Sequence, residues 1–365
     1  MNDGGRASCP SRSGEDACLH LSRRLFRRQL IRTYNLCLLG FGNVNRTLFR
    51  LLQKKETELR DRGIAWRVTG VATRRLGWIA DADGMDVEGL PDSAKPPHLA
   101  TSPSLDVSSW LRAAKADVLF EATSLSPRDG QPAINHIRAA LEMGAHAITA
   151  NKGPIVHAYE QLTALALAKG RRFFFESTVM DGVPIFGLFR DNLPAIELRG
   201  FHGILNSTTN VILGGMEDGL SFSDSLTKAQ QIGIAETDPS NDIDGWDAAV
   251  KVAALIRVLM GVPIRLEDIQ REGIGKLSGE AVRAARAEGR PYKLVCRAQR
   301  KAQGITASVQ PEQVPLSDPL AWVDGTSSIV YFETDIFPGL AITENNPGLE
   351  ATAYGMLADF VRAVS

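Results

Sequence analysis

A glycine turn between a buried strand and a helix constrains the first part of this chain most strongly. Residues 34–39 (YNLCLL) form an apolar run typical of a strand that is buried on both faces. Gly40 and Gly42 follow, and a helical periodicity begins directly after them. Gly40 permits a tight turn, and Gly42 lets the backbone approach a pyrophosphate, which the free N–H groups of a helix start attract. The pattern predicts a dinucleotide site, with Asn43 and Val44 among its contacts.

Two departures from the usual dinucleotide pattern concern the cofactor rather than the reaction. Asn45 stands where a third glycine serves close helix–strand packing, so the match is weaker but the phosphate site remains. The next strand is predicted to end near Ala72, and Thr73, Arg74 and Arg75 follow where NAD-binding proteins usually carry an acid for the ribose. Because guanidinium groups suit a 2′-phosphate, Arg74 and Arg75 favour NADP, with NAD as the alternative. Two solvated arginines are the simpler interpretation.

Strands and helices alternate in the first half of the chain. Residues 116–124 are typical of a buried strand, 131–144 of a helix, and 145–153 of a further strand and turn. Such alternation predicts an α/β fold with a Rossmann-type, doubly wound parallel sheet, whose ligands lie beyond the carboxyl ends of the strands. The polar and glycine residues at those ends are Gly40, Thr123, Ser124, Asn151 and Lys152.

The second half alternates less strictly. Strand-like runs occupy 171–176, 291–299, 305–309 and 327–335, and helical patterns cover much of 222–289. Runs of strands next to runs of helices predict a separate, mixed α+β domain.

The stretch from Ala235 to Lys251 (AETDPSNDIDGWDAAVK) concentrates acids before a single lysine. A helix predicted from about Trp246 places Asp247 and Lys251 four residues apart, so that both point from one face. Repulsion among the acids would cost stability unless a cation or a substrate ammonium lay between them. A surface Asp–Lys pair is the alternative interpretation. The acids expected to converge on Lys251 are Glu236, Asp238, Asp242, Asp244 and Asp247.

The same stretch carries a resemblance to a known family. Ala229, Gly233, Asp238, Pro239, Asp242, Gly245, Asp247 and Lys251 stand at the spacing of a signature, and residues 229–251 resemble the signature segment of homoserine dehydrogenases. Further similar segments are 122–154, 173–184, 203–213 and 348–361, so the resemblance extends from about Tyr34 to the end. It implies a short form that lacks the regulatory C-terminal domain of many relatives, and hence no threonine feedback through such a domain.

The resemblance implies a function and a set of site residues. The family interconverts L-homoserine and L-aspartate 4-semialdehyde with NAD(P)(H), on the route to threonine and methionine. Lys152 and Lys251 match its two functional lysines, and near a cofactor and other cations the pKa of such a lysine can fall toward neutrality. The acids that match substrate contacts are Glu236, Asp242 and Asp247, and the further substrate contacts expected are Asn206 and Thr208. Gly40, Gly42 and Thr123 match cofactor contacts. The further cofactor contacts expected are Asn43, Val44, Arg74, Arg75, Ser124, Asn151, Gly348 and Glu350.

A possible cation site is also implied by the resemblance. The segment from Glu176 to Val183 matches a loop that offers backbone carbonyls to a monovalent cation, Na+ or K+, in some members. The matching positions are Glu176, Val179, Asp181 and Val183.

The expected organisation follows from these assignments. Residues 33–153 together with 345–365 form the expected dinucleotide-binding domain, because a C-terminal helix returns to it in the family. Residues 154–344 form the expected substrate-binding and dimerisation domain, and the family is usually a homodimer. Residues 1–32 are polar and then basic, and we expect a disordered or extraneous extension. A targeting arm, or a tether to a membrane or nucleic acid, is the alternative.

Composition excludes several classes of function. The formal net charge of -1 argues against general nucleic-acid binding, and no apolar run is long enough for a transmembrane helix. We therefore expect a small-molecule substrate and neither nucleic acid nor membrane as a partner. The 4 cysteines form no CxxC pair and the 6 histidines show no metal spacing, which favours a reducing cytoplasm and no zinc site. Two rivals remain: an oxidoreductase for another amino-acid aldehyde, and a non-catalytic nucleotide sensor.

Overall fold

Two six-stranded sheets organise the part of the chain that the structure, a computed structural model, describes. That part comprises residues 30–90 and 106–365. The extension expected at 1–32 therefore lies outside the described residues except for its last three, of which Arg32 begins the first strand. Every helix in the described part is too short or too polar to cross a bilayer.

The first sheet is the predicted doubly wound parallel sheet. Its strands run in the order β3-β2-β1-β4-β5-β6, and each neighbouring pair is parallel except β2 and β3. Because β1 lies between β2 and β4, the chain reverses its winding direction at the carboxyl ends of β1 and β4, where such sheets bind ligands. The strands are β1 (Arg32–Leu39), β2 (Ile64–Thr73), β3 (Gly77–Ala80), β4 (Val118–Glu121), β5 (His146–Thr149) and β6 (Phe173–Phe174).

Helices cover both faces of this sheet. On one face Leu36 and Leu38 of β1 pack with Leu48 of the first helix, and on the other Cys37 and Leu39 pack with Trp110. This alternation along β1 explains its continuous apolar sequence. Each leucine buried in this way contributes roughly 1.5–3 kcal/mol. The helices of this half are α1 (Asn43–Lys54), α2 (Glu56–Asp61), α3 (Val107–Ala113), α4 (Ala133–Glu142) and α5 (Gly153–Ala168).

The second sheet lies in the part predicted as a mixed α+β domain, and its strands run in mixed directions. Its order is β12-β11-β7-β9-β10-β8, and its neighbours are antiparallel except β8 and β10. The short strands β3, β8 and β12 were not predicted, because edge segments of a few residues have little room for a hydrophobic alternation. The strands are β7 (Leu198–Ile204), β8 (Gln270–Arg271), β9 (Tyr292–Lys301), β10 (Gly304–Gln313), β11 (Ser328–Thr334) and β12 (Leu340–Glu344).

The remaining helices connect the second sheet and return to the first. They are α6 (Ile185–Gly187), α7 (Ser207–Glu217), α8 (Phe222–Gln231), α9 (Ser240–Ile243), α10 (Trp246–Leu255), α11 (Gly279–Ala287) and α12 (Leu349–Val364). Single π-turns extend α6 over Leu188–Asn192 and α10 over Ile256–Met260, and short 3₁₀ turns occupy Glu176–Thr178, Leu266–Asp268 and Pro319–Trp322.

The last helix, α12, packs on the first sheet beside α1. Its Phe360 meets Tyr34 and Phe120 edge to face, each pair with ring centroids 5.9 Å apart. The Tyr34 hydroxyl donates to the carbonyl of Val364 at 3.2 Å. The chain therefore returns from the second sheet to the first. Another apolar core runs without a break from α4 and α5 to α10 and the second sheet, and it joins the two halves of the molecule.

Candidate active site

Two lysines from different halves of the molecule meet one carboxylate. Lys152 follows β5 at the start of α5, and its Nζ lies 3.1 Å from Oδ1 of Asp247. Lys251 lies one turn after Asp247 on α10, and its Nζ is 3.3 Å from Oδ2 of the same carboxylate. Lys251 also donates to the carbonyl of Leu205 at 2.6 Å. The predicted i, i+4 pair thus lies partly buried in the cleft where the two halves of the molecule meet, rather than on the open surface.

The charges of this cluster determine which side chains are ionised. Burial alone would raise the pKa of Asp247, but Lys152 and Lys251 outweigh it and hold that pKa well below its usual range. Burial would lower the pKa of Lys251, but Asp247, Asp181 and Asp242 outweigh it and raise that pKa. Among the described residues, carboxylates have the larger effect on the Lys251 ammonium group, so its pKa is raised rather than lowered toward neutrality.

Asn206 ties the remaining substrate-side residues together. It caps α7 by accepting from Thr209 N at 2.9 Å, which leaves its amide nitrogen to donate elsewhere. That nitrogen donates to Asp242 at 2.7 Å and to Asp247 at 3.1 Å. Burial and the neighbouring Asp247 raise the pKa of Asp242. Thr208 is buried beside this group and donates to the carbonyl of Ile234 at 3.3 Å.

Three acids of the stretch do not join the cluster. The Glu236 side chain is exposed, and its backbone carbonyl accepts from Gln230. The Asp238 carboxylate closes a local turn on Ser240 N at 3.1 Å. Asp244 meets Arg271 through its backbone carbonyl. The expected convergence of five acids is therefore wrong for these three, because spacing along a loop does not fix the direction of its side chains.

The glycine turn has the shape that a dinucleotide requires. Gly40 has a φ of +80°, and a Cβ at this position would collide with the carbonyl of Ala122, which follows β4. Gly42 caps α1, and a Cβ built on it would meet no protein atom within 4 Å. Asn43 and Val44 form the first turn of α1, so their N–H groups lie at the positive end of the helix. These residues fit the pyrophosphate of a nicotinamide cofactor.

Asn45 explains the missing third glycine. The side chain is fully buried and donates to the carbonyls of Leu39 and Gly40 at 3.1 Å each, and to that of Phe120 at 3.4 Å. It thereby joins the carboxyl ends of β1 and β4 at the point where the winding reverses. An asparagine here replaces close packing by hydrogen bonds.

Arg74 and Arg75 lie on the turn between β2 and β3, next to the carboxyl end of β1. Both side chains are exposed, and neither forms an ion pair with another described residue. Their location beside the glycine turn is the one that a ribose substituent of a bound dinucleotide reaches.

Sequence reasoning missed a buried acid at the end of β4. Glu121 is fully buried, and it accepts from the hydroxyl of Thr123, from Thr123 N at 2.9 Å and from the hydroxyl of Thr149 at 2.6 Å. Burial raises the pKa of Glu121. Asn151 donates to the carbonyls of Thr123 at 3.2 Å and Ser124 at 3.4 Å. The available signal was a glutamate that ends an otherwise apolar strand.

The segment from Glu176 to Val183 lies between α12 and the cleft. The Glu176 carboxylate accepts from Phe186 N at 2.6 Å, from Gly187 N at 2.8 Å and from Arg362 at 3.0 Å, so its oxygens face α6 and α12. Val179 is buried beside it. The carbonyl of Val183 accepts from Ile185 N at 2.8 Å. Among the described residues no three His, Cys, Asp or Glu side chains form a metal-binding group.

Asp181 belongs to the lysine cluster through its side chain. Its carboxylate accepts from the hydroxyl of Thr352 on α12 at 2.6 Å and contributes to the raised pKa of Lys251. Glu344, the last residue of β12, faces Asp181, and burial together with Asp181 raises the pKa of Glu344 to about 7. Sequence reasoning considered Asp181 only as a cation ligand and did not identify Glu344.

Gly348 and Glu350, expected as cofactor contacts, lie at the start of α12. Gly348 is the exposed N-cap of this helix. The carboxylate of Glu350 pairs with Lys54 at 2.6 Å, in the last turn of α1 and at the end opposite the glycine turn. The contact of these two residues with a cofactor stays a prediction.

The chain is similar to known proteins over most of its length. A family model described as homoserine dehydrogenase matches residues 184–361, and one for the NAD-binding domain of homoserine dehydrogenase matches 40–176. The NAD(+)-dependent homoserine dehydrogenase of Pseudomonas canavaninivorans is 35% identical over 338 residues, covering 90% of this chain and 95% of that protein. A putative homoserine dehydrogenase from Archaeoglobus fulgidus is 31% identical, with a TM-score of 0.77 and coverage of 90% and 98%. A hyperthermophilic archaeal homoserine dehydrogenase mutant in complex with NADPH is 27% identical, with a TM-score of 0.77 and coverage of 91% and 98%.

Proposed function

The chain belongs to the homoserine dehydrogenase family, and we propose from that premise which of its residues carry out each part of the reaction. The protein is an NAD(P)-dependent oxidoreductase that interconverts L-homoserine and L-aspartate 4-semialdehyde, a step toward threonine and methionine. One observation carries the proposal: Lys152 and Lys251 both contact Asp247 in the cleft between the two sheets.

The lysines stabilise the reacting oxygen. The nicotinamide, when bound, exchanges a hydride with the substrate carbon. In the reducing direction the carbonyl oxygen gains negative charge and then a proton, and a buried ammonium group can stabilise the first and supply the second. The raised pKa of Lys251 keeps it protonated for this role. Lys152 contributes the second positive charge from the opposite side of the cleft.

Asp242 and Asp247 have different roles. Asp247 is occupied by two lysines, whereas Asp242 contacts Asn206 and Thr208 and has no lysine within ion-pair distance among the described residues. We therefore assign the substrate ammonium to Asp242, with Asn206 holding that carboxylate, and the orientation of the lysines to Asp247. Glu236 lies outside this arrangement. The two ends of the substrate are thus held by different groups, which fixes the aldehyde relative to the cofactor.

The cofactor preference is proposed to be NADP. Arg74 and Arg75 are exposed beside the glycine turn, where they can bind a 2′-phosphate with charge-assisted hydrogen bonds. The relatives themselves differ, since one is named as NAD(+)-dependent and another was solved with NADPH. Replacing both arginines by serine should raise the KM for NADP about tenfold or more and leave the KM for NAD within about twofold. An equal change in both constants would reject the assignment.

The assembly and the cation are further parts of the proposal. The face of the second sheet opposite α10 carries His202 stacked on Tyr331 at 5.3 Å and the ion pair of Arg297 with Glu312, and we propose it as the homodimer face. A light-scattering mass for the wild type and for Tyr331→Glu tests this.

A Na+ or K+ ion at 176–183 would depend on backbone carbonyls, since Glu176 is engaged elsewhere. Both described cysteines are free and buried, which suits a cytoplasmic enzyme.

The catalytic assignment is tested by nicotinamide absorbance with L-homoserine, using NADP and NAD. Lys152→Ala and Lys251→Ala should each lower kcat by about two orders of magnitude or more. Lys276→Ala is the matched control, because that side chain is 88% exposed and its only ion-pair partner among the described residues is Glu272. Wild-type protein that binds the cofactor but reduces none would favour the nucleotide-sensor alternative. Turnover of another amino-alcohol in preference to homoserine would favour the related oxidoreductase.

A further inference from the structure

A carboxylate that has no cationic partner among the described residues is buried next to the turn at Thr123, which contacts the glycine turn. Glu121 has no measurable exposure, and it forms no ion pair with a described residue. Its carboxylate is instead held by three donors: Thr123 N, the Thr123 hydroxyl and the Thr149 hydroxyl. Burial raises its pKa, so the fold pays a cost to keep this group here. A residue that only filled space in β4 would be apolar, so the three hydrogen bonds indicate a role for this carboxylate.

The donors belong to two different turns. Thr123 lies in the turn after β4, which contacts the glycine turn through Ala122 and Gly40. Thr149 is the last residue of β5, and its hydroxyl also accepts from Asn151 N at 2.9 Å. Asn151 in turn accepts from Gly153 N at 3.0 Å, so the backbone on both sides of Lys152 is fixed. Glu121 is thus the common acceptor of two turns: the turn at Thr123, called the cofactor turn here, and the turn at Lys152, called the lysine turn.

A pair of glycines makes the contact between these turns close. A Cβ built on Gly153 would lie 2.8 Å from the Cα of Gly130, at the end of the segment that follows β4. A Cβ on Gly130, which has a φ of +66°, would lie 2.8 Å from the carbonyl oxygen of Gly153. The two turns therefore pack without side chains between them, and a shift of one displaces the other.

We propose that Glu121 is a positioning residue that fixes the Lys152 turn relative to the cofactor turn, acting through Thr149 and Asn151. It touches neither substrate nor cofactor. Its role is to hold the Lys152 ammonium at a set distance from the position of the nicotinamide. The inference depends on the role proposed above for Lys152 and on the cofactor contact expected of Thr123. Small displacements of a catalytic group cost large factors in rate, so the loss should affect kcat more than stability.

Thr149→Val and Glu121→Gln test the proposal on the full-length enzyme. Valine keeps the shape of Thr149 but removes the hydroxyl that links Glu121 to Asn151. Glutamine keeps an oxygen for Thr123, but its amide cannot accept from Thr149. Thr69→Val is the matched control: Thr69 is equally buried in β2, and its hydroxyl bonds to no described nitrogen or oxygen atom. Thr149→Ser restores the hydroxyl and serves as the rescue.

We expect kcat to fall about tenfold or more in Thr149→Val and Glu121→Gln, to stay within twofold in Thr69→Val, and to recover in Thr149→Ser. The Tm of Thr149→Val should match that of Thr69→Val within a few degrees. Equal kcat values for the two valine variants, or losses that follow Tm without rescue by serine, would overturn the proposal. If wild-type protein does not oxidise homoserine, the proposed function fails first. The positioning role is then judged by NADPH fluorescence, where Thr149→Val must bind more weakly than Thr69→Val.

Discussion

Nζ of Lys152 lies 3.1 Å from Oδ1 of Asp247, and this ion pair joins the two halves of the molecule across the cleft. The side chains are 20% and 18% exposed, so the pair is sheltered but not sealed from solvent. The substrate carries its own ammonium and carboxylate groups. These groups can pair with Asp247 and Lys152 in turn, so opening the ion pair leaves no charge unpaired. Asp247 therefore both orders the two lysines before substrate arrives and separates them from each other.

The first prediction concerns Asp247→Asn. Removing this charge leaves Lys152 and Lys251 facing each other without the carboxylate between them, and one lysine should move or lose its proton. We expect kcat/KM for homoserine to fall about 100-fold or more while NADPH still binds, because the glycine turn is untouched. Asp238→Asn is the control, since that carboxylate caps a local turn on Ser240. Similar kinetics for the two variants would contradict the role of Asp247.

The second prediction concerns the pH dependence set by Asp181. Asp181 helps to raise the pKa of Lys251, and a raised pKa keeps this lysine protonated to higher pH. Since aldehyde reduction needs the protonated form, activity should disappear as the pH rises through the pKa of Lys251. Asp181→Asn removes one negative charge and should move this basic limb of kcat/KM to lower pH.

The control for that experiment is Thr352→Val. It removes the 2.6 Å hydrogen bond to Asp181 but keeps the negative charge. Its basic limb should lie closer to that of the wild type. An unshifted limb in Asp181→Asn would show that Lys251 does not set the pH dependence of the reduction.

The third prediction contrasts two neighbouring glycines. Gly40→Ala forces a side chain onto a φ of +80° and against the carbonyl of Ala122, so this variant should lose stability by about 1–3 kcal/mol. Gly42→Ala meets no protein atom within 4 Å and should keep the wild-type Tm. Its new methyl group points where the pyrophosphate approaches, so it should weaken NADPH binding instead. Thermal unfolding and fluorescence titration check both, and a Gly42→Ala variant with unchanged affinity would reject the pyrophosphate site.

These contrasts show which features the sequence could predict. The strand, Gly40, Gly42 and α1 were predictable because glycine conformation and a 3.6-residue periodicity are local properties of the chain. The cluster of Asp242, Asp247 and Lys251 was partly predictable, since α10 places two of them on one face. Lys152 reaches Asp247 only through the packing of the two halves, so the contact was not predicted; Lys152 itself was named by the family resemblance rather than by spacing.

The missed contacts share a physical cause. Glu121 accepts from Thr149, Asp181 accepts from Thr352, and Glu344 faces Asp181; no local pattern reports partners that are so distant in sequence. Glu236 was misplaced for the opposite reason: it is close to Asp242 in sequence, but the loop directs its side chain to solvent. Hydrophobic periodicity predicts faces of helices and strands, and it gives no direction to side chains in loops.

The fourth prediction is that restoring the missing glycine of the dinucleotide pattern harms the protein. Asn45→Gly removes the donor shared by the carbonyls of Leu39, Gly40 and Phe120 and leaves a hole in a fully buried site. Unsatisfied buried acceptors and a glycine inside a helix should together cost about 2–4 kcal/mol of unfolding free energy. Asn43→Gly is the matched control, since Asn43 is exposed in the same turn of α1 and tests the backbone effect alone. If urea denaturation gives both variants the same loss, the hydrogen bonds of Asn45 contribute nothing to stability. If Asn45→Gly alone is destabilised yet still binds NADPH when folded, Asn45 holds β1 to β4 and is not needed for the phosphate site.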